Sequence, residues 1–229
     1  MTNDAEPYFD GREMYMVHNM LRREFGLTPE AVRGVAAGDL DRARVVGAHI
    51  TGLTTVLHHH HHGEDEFVWP ALLERAAGEV KAIVQVMESQ HQGIEKAVSE
   101  VDAAVESWRG GAAAESREAL AVAVARLLPL LKEHLAVEEE HVVPLMEKHI
   151  TAAEWNRIIQ TAAAGVDPES LPLSFGMMMY EGDPEIIDLV ISNMPPEARP
   201  VIRDLAGQAF AAHSELIHGT ATPRRSTEL

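Results

Sequence analysis

The chain contains no cysteine, which removes disulfides, iron–sulfur clusters and thiolate zinc sites in one step and leaves nitrogen and oxygen as the only metal ligands. It has no basic excess: 36 acidic residues against 19 basic ones give a formal charge of -17. That charge repels phosphate backbones and anionic headgroups, so nucleic acid and membrane are excluded as the main partners. No apolar run approaches a membrane span, and the first six residues carry neither the basic nor the apolar block of a secretion signal, so the expected compartment is the cytoplasm. Aromatic residues are scarce (three Trp, three Tyr, five Phe), and alternating β-branched runs are few. What dominates instead is Ala, Leu, Glu and Val at helical spacing, so the class is all-α. The 229 residues suffice for one main domain with a sizeable extension. Against this background thirteen histidines need an explanation.

Four long helices are predicted, arranged as an up-down-up-down four-helix bundle over residues 1–150. Asp10 with Glu13 reads as a capping box opening the first helix, with Met14, Val17, Met20, Leu21 and Phe25 on its apolar face and Gly26 closing it. Thr28, Pro29 and Glu30 open a short helix that Gly38 ends, and Asp39 caps the second long helix, which carries the histidine run, bends near Pro70 and breaks at Gly78. The third helix starts near Glu79 and ends before Gly110; the fourth runs from about Glu115 to Lys148, with interruptions expected at Pro129 and Pro144. From Thr151 the texture changes. Pro168, Pro172, Pro184, Pro195, Pro196 and Pro200 cut residues 151–229 into short helical pieces ending in a frayed tail from Thr220. Met177, Met178, Met179, Tyr180 and Phe210 predict that this segment packs on the bundle or on another subunit, the latter giving a homo-oligomer.

One phrase is written twice. His60 is followed four residues on by Glu64 and ten on by Pro70; His134 is followed at the same spacings by Glu138 and Pro144. Four residues is about one helical turn, so each imidazole stacks on its carboxylate along one face and both can bind one ion. His18 and His91 lie on the apolar faces of the first and third helices. The gaps His18 to His60 and His91 to His134 are 42 and 43 residues, as in two successive helical hairpins. At ~1.5 Å per residue His91 and His134 both fall ~26–29 Å from the turn that joins their helices, and so face each other at one level. The result is one imidazole from each helix and a carboxylate from two of them. Such a nitrogen and oxygen set suits a pair of iron or manganese ions, with Glu64 and Glu138 able to bridge.

These residues resemble the hemerythrin-like, or HHE cation-binding, family: a lone histidine on the first helix, His-x-x-x-Glu on the second, a histidine on the third, His-x-x-x-Glu on the fourth, and a proline beyond each pair. The resemblance covers about residues 10 to 150. It implies a non-haem di-iron site of His18, His60, Glu64, His91, His134 and Glu138, bridged by the two glutamates and an oxygen species, whose ligand is oxygen, peroxide or nitric oxide. Oxygen-carrying hemerythrins place a second histidine one turn after the first on the third helix, where this chain has Glu95. His61 stands where some members place an extra ligand, and Glu95 is the alternative. A more carboxylate-rich shell would favour redox turnover, as in detoxifying peroxide or nitric oxide, over carriage.

Other readings compete. The five histidines 58–62 sweep more than a full turn, so some must be solvated. His141, two turns after His134, is expected in the core or behind the ligands, and His49, His149, His213 and His218 at the surface or at helix ends. A ferritin-like site would use Glu88 with His91 and Glu138 with His141, but on the wrong pair of helices. A zinc hydrolase would need only three ligands and an open position, fewer than the six groups offered. A metal-dependent sensor or interaction module, read out by the C-terminal segment, differs from an enzyme only in lacking turnover.

Overall fold

The computed structural model describes residues 6–163 and 169–229; residues 1–5 and Pro168 lie outside the described part. Among the described residues the structure is helical, with a single isolated β-bridge between Tyr8 and Thr151. The helices are α1 (Arg12–Arg33), α2 (Leu40–Gly63), α3 (Trp69–Arg109), α4 (Ala114–His141), α5 (Val143–His149), α6 (Ala152–Ala163), α7 (Leu171–Met179), α8 (Pro184–Asn193) and α9 (Ile202–His218). A π-helical turn, Glu64–Val68, joins α2 to α3. Helix α1 packs on α2 and α4, and α3 on α2 and α4. The side-chain pairs run antiparallel: Arg33 meets Glu118 while Arg22 meets Glu139, and Gly47 lies under Arg109 while Thr54 bonds Asp102.

Several helix ends differ from the sequence expectation. Asp39 caps α2 as expected, its carboxylate accepting from the backbone N–H of Arg42 at 3.0 Å. Asp10 instead accepts from the N–H and guanidinium of Arg12, and Glu13 accepts from Trp155 Nε1 at 2.9 Å, so no capping box forms. Gly26 does not close α1, which continues through Pro29 to Arg33. Burial of Leu27 and Val32 outweighs the local breakers, and Gly26 serves a close approach: a Cβ there would lie 3.0 Å from the Leu229 side chain. Gly78 stays helical and the break falls at Ala76 (φ -141°, ψ 33°), a negative φ that alanine can adopt. Pro129 sits inside α4 without ending it, whereas the break near Pro144 occurs at Val142.

The core is split. One hydrophobic cluster runs from Phe25, Ile50 and Leu53 to Val101, Leu127 and Leu131; a second gathers Met14, Trp69, Leu72, Met87, Val142 and Met146; a third sets Met16 of α1 against Phe175, Ile186 and Ile187. Between the first two lie His18, His60, His61, Glu64, His91, His134 and Glu138.

The C-terminal pieces pack on the bundle. Met177 and Phe210 join the first cluster, and Gly176 lets α7 cross α9, since a Cβ there would meet Ala206 O at 2.1 Å. The tail is not frayed. Ser226 N–H donates to Glu181 Oε1 at 2.7 Å, Lys132 Nζ to Leu229 O at 3.1 Å, and the Tyr180 hydroxyl to Pro223 O at 2.9 Å. Polar composition suggested fraying, but these specific acceptors and the Leu229 contact on Gly26 hold the tail in place.

Candidate metal centre

All seven sequence-predicted residues converge between the first two hydrophobic clusters. His18, on α1, is fully buried, as are His134 and Glu138 on α4; Glu64, His91 and His61 are nearly so. They fall into two groups whose ligand atoms lie within 4.8 Å of one another: His18, His60, Glu64 and Glu138, and His61, Glu64, His91 and His134. Glu64 belongs to both. Its Oε1 lies 3.1 Å from His60 Nε2 and its Oε2 lies 3.3 Å from His91 Nε2. Glu138 Oε2 lies 3.3 Å from His18 Nε2 and 3.8 Å from His134 Nε2.

The local chain geometry explains the convergence. Pro70 has no N–H, so the turn before it widens, with the Trp69 N–H bonded to Glu64 O five residues back. The widened turn begins at Glu64 itself. Of the five consecutive histidines, His61 is buried and His60 is 9% exposed at its side chain, while His58, His59 and His62 face solvent. His62 pairs with Glu66 at 3.0 Å, and His58 stacks on His62.

Each of three imidazoles is held from behind. His18 Nδ1 donates to Glu139 Oε1 at 2.8 Å, an oxygen that also accepts from Arg22. His91 Nδ1 donates to Asp65 Oδ1 at 2.9 Å, which also accepts from Trp69 Nε1. His134 Nδ1 donates to Gln90 Oε1 at 3.2 Å. These bonds place the lone pair of each ring on Nε2, aimed at the centre. Glu139 and Asp65 were not foreseen from the sequence, although a signal existed: in both copies of the phrase an acidic residue directly follows the motif glutamate.

Nine atoms at the centre are buried without a hydrogen-bond partner: Nε2 of His18, His60, His61, His91 and His134, and both carboxylate oxygens of Glu64 and Glu138. The ion-pair separations above lack hydrogen-bond geometry. Unsatisfied buried polar atoms are individually expensive, and nine that converge fit a bound cation.

The electrostatics agree. Burial and the charge of Glu138 push the Glu64 carboxyl well up, while Glu138 is held at about 2 against burial by the charge of the neighbouring His18. Two buried carboxylates therefore compete for one charge. Burial pushes His60 down to about 3 and His134 to about 4, and lowers His61 as well, keeping these rings neutral and able to ligate. His18 alone is raised, the pull of Glu138 and Glu139 outweighing burial.

The structure separates the remaining candidates. Glu95 is exposed and belongs to neither group; it lines a surface depression with Leu57, His61, Asp65, His91 and Ile94. His141 is not in the core: its side chain is 52% exposed, because α4 ends there and turns the ring outward. His49 is not at the surface but buried against Glu24, with His213 and His218 nearby. Its signal was its place on α2, eleven residues, or about three turns, before His60 and so on the same face.

The sequence matches the model of one protein family, the Hemerythrin HHE cation binding domain, over residues 12–150. The chain belongs to this family. Membership carries cation binding with it, and the buried His/Glu groups are where this HHE domain could hold a metal. No curated protein and no solved structure matched the chain. None of its described helices is long and apolar enough to cross a membrane.

Proposed function

We propose that the protein is a non-haem di-iron protein that binds or reacts with a small oxidant, namely oxygen, peroxide or nitric oxide. One ion would be held by His18, His60, Glu64 and Glu138, the other by His61, Glu64, His91 and His134, within an up-down-up-down four-helix bundle that carries residues 151–229 as an appended segment. The observation that carries this reading is the set of nine buried, unpartnered ligand atoms in two groups sharing Glu64. Five imidazoles and two carboxylates exceed what one zinc ion takes and suit a pair of iron ions. Bound iron supplies an open position and one-electron chemistry to a small ligand. The protein's own contribution is to orient the imidazoles through Glu139, Asp65 and Gln90, to keep bulk water out with the flanking apolar clusters, and to admit the ligand through the depression beside His61 and His91.

A sensor without turnover is the second reading. It is favoured by α1, which carries His18 and also Arg23, whose guanidinium reaches Glu181 and Met177 O in the C-terminal segment. The test is metal analysis with an ultraviolet-visible spectrum on untagged protein loaded with iron in air. About two irons per chain with ligand-to-iron absorption bands are expected, sharply reduced by His134→Ala or Glu138→Ala and unchanged by His213→Ala. Equal losses in all three variants would sink the assignment. Multiple turnovers of peroxide or nitric oxide would separate an enzyme from a sensor.

A further inference from the structure

A second group of metal-ligating side chains lies outside the di-metal centre, where α9 meets α1 and α2. Glu24 on α1, His49 on α2 and His218 at the end of α9 bring one ligand atom each to within 4.8 Å of the others. Glu24 Oε2 is 3.3 Å from His218 Nε2 and 3.5 Å from His49 Nε2. The side chains are 1%, 7% and 2% exposed for Glu24, His218 and His49 respectively. His49 Nε2 is buried with no hydrogen-bond partner although it points at a carboxylate oxygen. We propose that Glu24, His49 and His218 form a mononuclear site for a divalent cation of the zinc type, distinct from the di-metal centre, that clasps α9 to the bundle.

The spacing fits such an ion. Bonds of ~2.0–2.1 Å at tetrahedral angles separate neighbouring ligand atoms by about 3.3–3.4 Å, close to the two separations observed. Two histidines and one glutamate make a known zinc donor set, with water in the fourth position. The surroundings prepare each ligand. His213 Nε2 lies 3.0 Å from His49 Nδ1, so a proton on Nδ1 donated to His213 leaves the Nε2 lone pair directed at the site. Glu24 Oε1 accepts from Arg23 Nε at 2.8 Å, and Oε2 accepts from His218 Nε2 at 3.3 Å, a bond the ion would replace. His218 is fixed by the helix end itself: Gly219 follows it in the left-handed conformation (φ 73°), and the Arg42 guanidinium donates to the carbonyls of Leu216 and Ile217. Burial pushes His49 down to about 3, and Glu24, despite burial, is held at about 2 by the His218 hydrogen bond and the charge of Arg23. A neutral imidazole and an ionised carboxylate are the ligating forms.

Along α2, His49 precedes His60 by about 16 Å, so the two centres can be emptied independently. The test is calorimetric zinc titration of the iron-loaded protein, with the exposed His58, His62 and His141 replaced by alanine to remove surface binding. One zinc per chain is expected. His49→Gln and His218→Gln should each weaken it by at least roughly tenfold, since even partners behind a ligand are worth that much, while iron content stays the same. Cobalt in place of zinc should give the visible absorption of a four-coordinate ion in the parent, and lose it in both variants. His218, at a helix end, tolerates glutamine even where the buried His49→Gln does not fold. No zinc retained by the parent, zinc affinity unmoved by the folded variants, or zinc and iron lost together would each overturn the proposal.

Discussion

Glutamine at position 64 should stabilise the protein without metal and destabilise it with metal, because one carboxylate is asked to do opposite things in the two states. Without an ion, Glu64 is buried beside Glu138 with both oxygens unpartnered. At pH 7 the folded chain must either keep that charge or take up a proton. Protonating a carboxyl whose ordinary pKa is about 4.3 is limited to a penalty of about 3.7 kcal/mol at that pH, at ~1.4 kcal/mol per unit. Glu64→Gln keeps the volume and removes the conflict, so the apo variant should gain up to this amount, or roughly 7–15 °C in Tm for a chain of this size. With metal the sign reverses, since Glu64 is the one residue common to both ligand groups. Each ion present at a thousand times its Kd contributes about 4.1 kcal/mol, so losing both removes about 8 kcal/mol. Urea or thermal unfolding with chelator, and again with excess ferrous iron under nitrogen, reads both halves. A variant less stable than the parent in chelator would refute the buried-charge argument; one that still gained two ions' worth of stability from iron would refute the shared-ligand argument.

Three further outcomes are expected. His61→Ala should lower retained iron toward one ion per chain, while Glu95→Ala should leave it unchanged, as measured by metal analysis after desalting. Gly176→Ala drives a Cβ to 2.1 Å from Ala206 O, so α7 and α9 must separate; a loss of about 1–3 kcal/mol in urea unfolding is expected, with iron content retained. Glu154 is held at about 2, first by the Arg75 guanidinium and then by the Thr151 N–H. A depressed carboxylate pKa stabilises the fold above about pH 4.3 and loses that effect as pH falls toward 2. Glu154→Gln should therefore be less stable than the parent at pH 7 by no more than about 1 kcal/mol, the pair being near the surface, and the gap should close in acid denaturation between those pH values.

The convergence of the candidate ligands was legible because it rests on the helical period. His60 with Glu64 and His134 with Glu138 need only the rise of one turn, and His18 and His91 are single polar residues on apolar faces. What was illegible depends on tertiary packing. Gly26 reads locally as a helix stop, yet it serves the Leu229 side chain two hundred residues away. Asp10 and Glu13 read as a reciprocal cap, yet Glu13 is taken by Trp155. The place of His49 on the His60 face of α2 marks it as buried, but nothing before the fold brings His218 from α9 to its side. His141, in line with His134, points outward because α4 stops there, a break set by Pro144 three residues on.

The two positions proposed for iron also differ in a way that one exposed residue can probe. The first group has two imidazoles and two carboxylates. The second has three imidazoles and one carboxylate, and it alone borders the surface depression, through His61 and His91. A small ligand entering there passes Glu95. At about 6 Å in water one unit charge acts on another with roughly 0.7 kcal/mol, so Glu95 should slow an incoming anion about threefold and leave a neutral molecule untouched. Azide is the anionic probe and nitric oxide the neutral one. In stopped-flow measurements on iron-loaded protein, Glu95→Gln should bind azide roughly threefold faster at low salt, with the difference shrinking as the Debye length falls below about 8 Å, and should bind nitric oxide at the parental rate. Equal azide rates in parent and variant at low salt would mean that ligands reach the centre by another route, and the depression beside His61 would lose its part in the mechanism.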